Sequence, residues 1–222
     1  MELLPLGDSA VLIRVADTLS AATHAHVRAI CAELDRAPVV GMVELVPAYT
    51  AVAVHYDLNV FSAAQTGPFA ALSALLEERL ANLQVAAPPP GPLVEVPVRY
   101  GGVDGPDLEE VAQHAGLSAE EVVRVHASAE YQVYMIGFSP GFPYMAGLPE
   151  EIAMPRRNSP RLAVPAGSVG IGGRQTGIYP METPGGWRII GRTDLRLFRP
   201  ESDPPTLFQL GDRVRFVPLD PA

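Results

Sequence analysis

Apolar residues at the start of the 222-residue chain come in two short runs, then recur every three to four positions, and that change of pattern marks its first elements. Residues 3–6 and 10–15 read as short strands around the Gly7-Asp8 turn. Val27, Ile30, Cys31 and Leu34, at i, i+3, i+4 and i+7, predict a helix over 20–36 that Pro38 stops. Two further β-rich runs, 42–46 and 50–56, are parted by a turn near Pro47. A second helix over 68–83 sets Phe69, Leu72, Leu76, Leu80 and Leu83 on one face. This order predicts a small α/β layer with helices on one side of a sheet.

Residues 86–92, Ala-Ala-Pro-Pro-Pro-Gly-Pro, are stiff and poor in donors, and fit neither a helix nor a central strand. They predict a boundary between a small α/β N-terminal domain, 1–88, and a second domain, 93–222. After it, 94–99 reads as a strand and 107–115 and 118–127 as short helices, with Ser118 and Glu121 spaced for a capping box. From Tyr131 onward the pattern is short β runs broken by Gly and Pro. The last, 212–219, alternates Val214 and Phe216 with Arg213 and Arg215. Such a run of strands closes as a barrel or a sandwich, so the class expected is α+β.

A hydrophobic share of 48% and a charged share of 18% describe a globular chain with a core to bury. Glu2, Pro5 and Asp8 interrupt what a signal peptide would need, and no window reaches the roughly 20 apolar residues of a membrane span. A cytoplasmic location and no membrane contact are therefore expected. The single cysteine, Cys31, falls on the apolar side of its helix and reads as core.

All 16 basic residues are arginines, which removes lysine Schiff bases and the phosphate-loop lysine together. A net charge of −9 argues against nucleic acid. Yet residues 156–199 hold eight arginines against Glu182 and Asp194, a net of +6, and that is where an anion would go.

Three segments suggest chemistry. Gly137-Phe138-Ser139-Pro140-Gly141 matches the Gly-x-Ser-x-Gly elbow of serine hydrolases, but Pro140 has no N–H to offer an oxyanion. What remains is a rigid loop presenting Phe138, Phe142 and Tyr144, as a pocket wall or as packing. Residues 164–179 carry glycines at 167, 170, 172, 173 and 177 without nucleotide-loop spacing. Their main chain can approach a ligand closely, with Arg174, Gln175, Thr176 and Tyr179 as side-chain donors. Residues 183–193 hold the sole tryptophan, Trp187, between Gly185-Gly186 and two arginines, Arg188 and Arg192. It is either core or a flat wall beside cationic donors for a small carboxylate. The five histidines show no metal-ligand spacing, so no metal is expected. His126 is a candidate acid or base near neutral pH, or else a structural histidine.

Taken together, HASAEYQVYMIGFSPGFPYMAGLP from His126, PRRNSPR from Pro155, VPAGSVGIGGRQTGIYP from Val164, TPGGWRIIGRT from Thr183 and YGGVDGPDL from Tyr100 resemble the B subunits of bacterial ATP-dependent 5-oxoprolinase, also called the KipI or allophanate hydrolase subunit 1 family. The resemblance implies a cyclophilin-like β-barrel as the C-terminal domain. It implies ATP-driven opening of 5-oxoproline to glutamate together with a C subunit and an A subunit, with ATP consumed by the complex and no cofactor bound by this chain. Arg156, Arg161, Gln175, Thr176, Tyr179, Trp187 and Arg192 are expected to hold the cyclic amide substrate, with Gly170, Gly172, Gly185 and Gly186 in the pocket wall. Members that inhibit a sensor histidine kinase, or serve urea and allophanate metabolism, supply the competing expectations.

Overall fold

The computed structural model describes residues 1–85, 89 and 91–219. Residues 86–88 and 90, within the expected linker, lie outside the described residues. By its contacts the chain divides into two compact units, Met1–Pro89 and Pro90–Ala222.

In the first unit, β1 (Glu2–Pro5), β2 (Ala10–Arg14), β3 (Met42–Pro47) and β4 (Ala51–Tyr56) form an antiparallel sheet in the order β1-β2-β4-β3. Helix α1 (Ala21–Arg36) begins where Ser20 Oγ accepts from the Thr23 amide at 3.0 Å, and it buries the expected stripe of Val27, Ile30, Cys31 and Leu34. Burial pushes the Cys31 thiol up to about 12, with the nearby charge of Asp35 adding to it, so the thiol stays protonated and inert. Helix α2 (Pro68–Leu80) starts with proline in its first turn and buries Leu72, Leu76 and Leu80. It stops three residues before the expected end, where Asn82, a weak helix former, follows. Leu83, beyond the helix, is half-buried, and so is Phe69 in its first turn.

The second unit is mixed α+β around a closed barrel. Its elements are β5 (Leu93–Tyr100), α3 (Leu108–Ala115), α4 (Ala119–Ser128), β6 (Tyr131–Ile136), β7 (Pro143–Ala146), β8 (Arg161–Val164), β9 (Ser168–Gly172), β10 (Gln175–Ile178), β11 (Thr183–Gly185), β12 (Arg188–Arg192) and β13 (Arg213–Pro218). Seven strands close in the order β10-β7-β6-β13-β5-β12-β9, and β11 pairs with β8 outside them. Closure removes sheet edges, which an open sheet of such short strands would leave unpaired. The pairing of β13 with β5 is parallel, from Arg213 opposite Leu93 to Pro218 opposite Val98. The capping box forms as spaced: Ser118 Oγ accepts from the Glu121 amide at 3.2 Å, and the Ser118 amide donates to Glu121 at 2.7 Å. Val96, Val133, Met145, Ile171, Val214 and Phe216 fill the barrel and are at most 1% exposed. Among the described residues no helix is long and apolar enough to cross a membrane.

Candidate functional site

The hairpin of β6 and β7 carries the expected aromatic loop to the rim of the barrel. Phe142, 2% exposed, is the hub: its ring lies edge-to-face with Tyr179 at 5.1 Å and with Trp187 at 5.5 Å, and tilted on Tyr144 at 4.7 Å. Edge-to-face geometry sets the positive edge of one ring on the negative face of the next, so the cluster is attractive as well as buried. Phe138 joins from the loop's tip, and Pro184, Gly185 and Gly186 add a backbone wall. With Arg156, Arg157 and Pro160 these residues enclose an open cleft of about 330 Å³.

Glycines seat its rings. A β-carbon on Gly172 would stand 2.5 Å from the Trp187 indole, and one on Gly185 would stand 2.4 Å from the Tyr179 hydroxyl. Gly170 lies behind Trp187 in the same way, its notional β-carbon 3.2 Å from the tryptophan's Cβ. Gly185 and Gly186 line the cleft as expected. Gly170 and Gly172 do not: they pack against the far side of the indole within β9, in register with β10 and β12.

Charge enters from the segment before β8. The Arg156 guanidinium lies over the Trp187 ring, 5.8 Å from its centroid, and no carboxylate pairs with it among the described residues. Arg157 and Arg161 converge instead on Asp107. Arg161 donates twice to its carboxylate, both at 2.8 Å, Arg157 once at 3.2 Å, and the Ile189 amide at 2.7 Å. Burial works to raise the Asp107 carboxyl, but the Arg161 hydrogen bonds, the Ile189 amide and the charges of both arginines outweigh it and hold the group below its ordinary value. The triad ties the start of α3 to β8 and β12, and leaves Arg157 on the cleft wall with its Nε buried and unbonded.

The structure thus brings Arg156, Tyr179, Trp187, Phe138, Phe142, Tyr144, Gly185 and Gly186 together and separates the other expected residues from them. His126 is fully buried, with its Nδ1 2.8 Å from Tyr100 Oη and its Nε2 3.0 Å from Thr176 Oγ1. Burial holds its pKa down to about 3, so it is neutral, sealed from ligand and not an acid or base for the cleft. Thr176 is equally buried as its partner. Gln175 sits at the Gly172 end of β10, Arg161 is spent on Asp107, and Arg192 Nε donates to the Ala166 carbonyl at 2.9 Å, all outside the cleft lining. Ser139 lies in a loop between two strands with its hydroxyl buried and unpartnered, which is not the strand-to-helix elbow.

Sequence reasoning did not single out Asp107, Arg157 or Pro160. Asp107 looks like a cap for α3, yet it makes no side-chain capping bond because its carboxylate faces the arginines. The first unit has a groove of about 360 Å³ whose charged residues are Glu33, Glu78 and Arg79, a poor setting for an anion. Burial raises the phenols of Tyr144 and Tyr179, so the aromatic cleft offers surface and positive charge rather than a proton-transfer group near neutrality.

Residues 1–208 match the carboxyltransferase domain, subdomains C and D. The 5-oxoprolinase B subunit of Bacillus subtilis is 48% identical over 96% of this chain and 90% of its own length. That of Haemophilus influenzae is 41% identical over 98% and 97%. The crystal structure of TTHA0988 superposes with a TM-score of 0.80 at 36% identity over 96% of this chain, which spans 40% of that longer chain. Matches of this length and order place the protein in the family of 5-oxoprolinase B subunits, built on the carboxyltransferase C and D subdomains.

Proposed function

We propose that this chain is the B subunit of an ATP-dependent 5-oxoprolinase, opening 5-oxoproline to L-glutamate in the cytoplasm together with A and C subunits, and that the aromatic cleft holds the substrate or its activated form. The observation that carries the reading is the cleft itself, where aromatic faces meet an arginine with no carboxylate partner among the described residues. 5-Oxoproline is a flat lactam ring bearing one carboxylate. Its ring suits the faces of Tyr144, Tyr179 and Trp187, and its carboxylate suits Arg156 and Arg157, because a guanidinium replaces the hydration that the anion loses.

A lactam carbonyl is a weak electrophile, which is why ATP is needed to activate it. This chain has no lysine and no phosphate-loop motif, and its fully buried His126 is neutral and sealed. Its share of the reaction is to bind the ring, fix the carboxylate and exclude water, while the nucleotide and the proton-transfer groups come from the partner subunits.

The test is co-purification with the neighbouring subunits and assay of ATP- and 5-oxoproline-dependent glutamate release. Arg156→Met is expected to lower kcat/KM about tenfold or more, as loss of a charged hydrogen bond does, with subunit assembly unchanged. Arg192→Met, outside the lining, stays within about twofold. An assembled complex that releases no glutamate refutes the proposal, as does ATP turnover by the isolated chain.

A further inference from the structure

Among the described residues Phe138 is the one residue other than glycine with a left-handed backbone, at φ 70°. A β-carbon there crowds the next carbonyl, so a bulky side chain at such a position needs a cause outside its own backbone preference. Core packing is not that cause. Phe138 is 64% exposed, and its aromatic contact is one edge-to-face meeting with Phe142 at 5.6 Å.

The loop around it is pinned. Gly137 N–H donates to the Phe142 carbonyl at 3.1 Å and Phe142 N–H to the Ser139 carbonyl at 3.0 Å. Gly141, at φ 80°, lies against Leu197 and Phe198. These contacts fix the backbone that holds the Phe138 ring at the cleft rim rather than letting it fold away.

Resting on the reading of the cleft given above, we infer that Phe138 is its specificity-determining residue: its ring covers one face of a small ring carboxylate and keeps water from it. The occupant follows from the lining. The charge in the wall comes from Arg156, with which no carboxylate pairs among the described residues, while Arg157 beside it is held by Asp107 through Nη1. Aromatic faces take the ring, and without Phe138 one face of it would stand in solvent.

Trp187 is the sole tryptophan and lines the cleft, so its fluorescence reports occupancy in the full chain. The probes are 5-oxoproline, cyclopentanecarboxylate, 2-pyrrolidone, which is the ring without the carboxylate, and acetate, which is the carboxylate without the ring. Parent protein is expected to bind the two ring carboxylates best. Phe138→Gly relieves the backbone, melts at or above the parent's temperature, and loses about tenfold or more in affinity for ring carboxylates but not for acetate. Phe138→Ala loses the same affinity, while Phe138→Tyr keeps it within about twofold. A glycine variant that binds ring carboxylates like the parent overturns the inference. So does one that melts well below the parent, since the ring would then be packing. If the parent binds cyclopentanecarboxylate but not 5-oxoproline, the substrate reading alone falls and the Phe138 comparison is decided on cyclopentanecarboxylate. If it binds neither, both fall.

Discussion

His126 is expected to make the second unit lose stability in mild acid. Thr176 Oγ1 donates to the Gly170 carbonyl at 3.0 Å, so its hydroxyl proton is committed and it accepts from His126 Nε2. Nδ1 is then left to accept from the Tyr100 hydroxyl, which assigns the neutral ring a single tautomer. Phe216, with its centroid 4.4 Å away, and Tyr131, at 5.2 Å, complete an environment with no place for a charge. An unfolded histidine takes up its proton below about pH 6.5, whereas this one stays neutral in the fold down to about 3. Its contribution is therefore present above the unfolded value and is lost as pH falls through that window. From about pH 7.5 to about pH 5 the loss is about 2 kcal/mol by linkage. Urea unfolding of the full chain, followed by Trp187 fluorescence across this range, measures it. His126→Gln cannot titrate and should show a profile flatter by that amount. The comparison is needed because burial also lowers His26, while Asp107, held below its ordinary value, loses its contribution only at lower pH. Parallel profiles for parent and variant, within about 0.5 kcal/mol, would refute the reasoning.

Other outcomes follow from the packing of the cleft. Gly172→Ala drives a methyl into the indole, so it should cost about 1–3 kcal/mol, shift the Trp187 emission and weaken ring-carboxylate binding; unchanged emission with full binding counts against the seating role. Asp107→Asn removes the counter-charge of two arginines that are each about a quarter to a third exposed, and urea melts should show a loss of about 3 kcal/mol; a loss below about 0.5 would mean solvent carries those charges instead. A chain begun near residue 91 should still unfold cooperatively in urea, and a flat, non-cooperative circular dichroism transition would show that the second unit needs the first.

Elements that depend on neighbours in the chain were readable in advance. The α1 stripe, the Ser118–Glu121 box and the alternation of Val214 and Phe216 each follow from a local period or spacing, and each occurs where expected. The aromatic half of the cleft was readable too, because glycine and proline around Phe138, Phe142 and Trp187 marked tight loops. What local pattern does not carry is pairing across long stretches of chain. Asp107 meets Arg161 across 54 residues, and His126 meets Thr176 across 50. A histidine near the end of an amphipathic helix gives no sign that a threonine on a later strand will receive it. In the same way, the density of glycines in 167–177 was visible but the purpose of Gly170 and Gly172 was not, since it is set by where Trp187 comes to lie.

The parallel pairing of β13 with β5 also bears on how the protein is made. The strand that joins β5 to β6 comes more than a hundred residues after β5, so on the ribosome the barrel remains an open sheet with two exposed edges until residues 213–218 emerge. Until then the nascent chain presents its unsatisfied edges to whatever else is in reach, and a message cut short before residue 213 yields a protein permanently in that state.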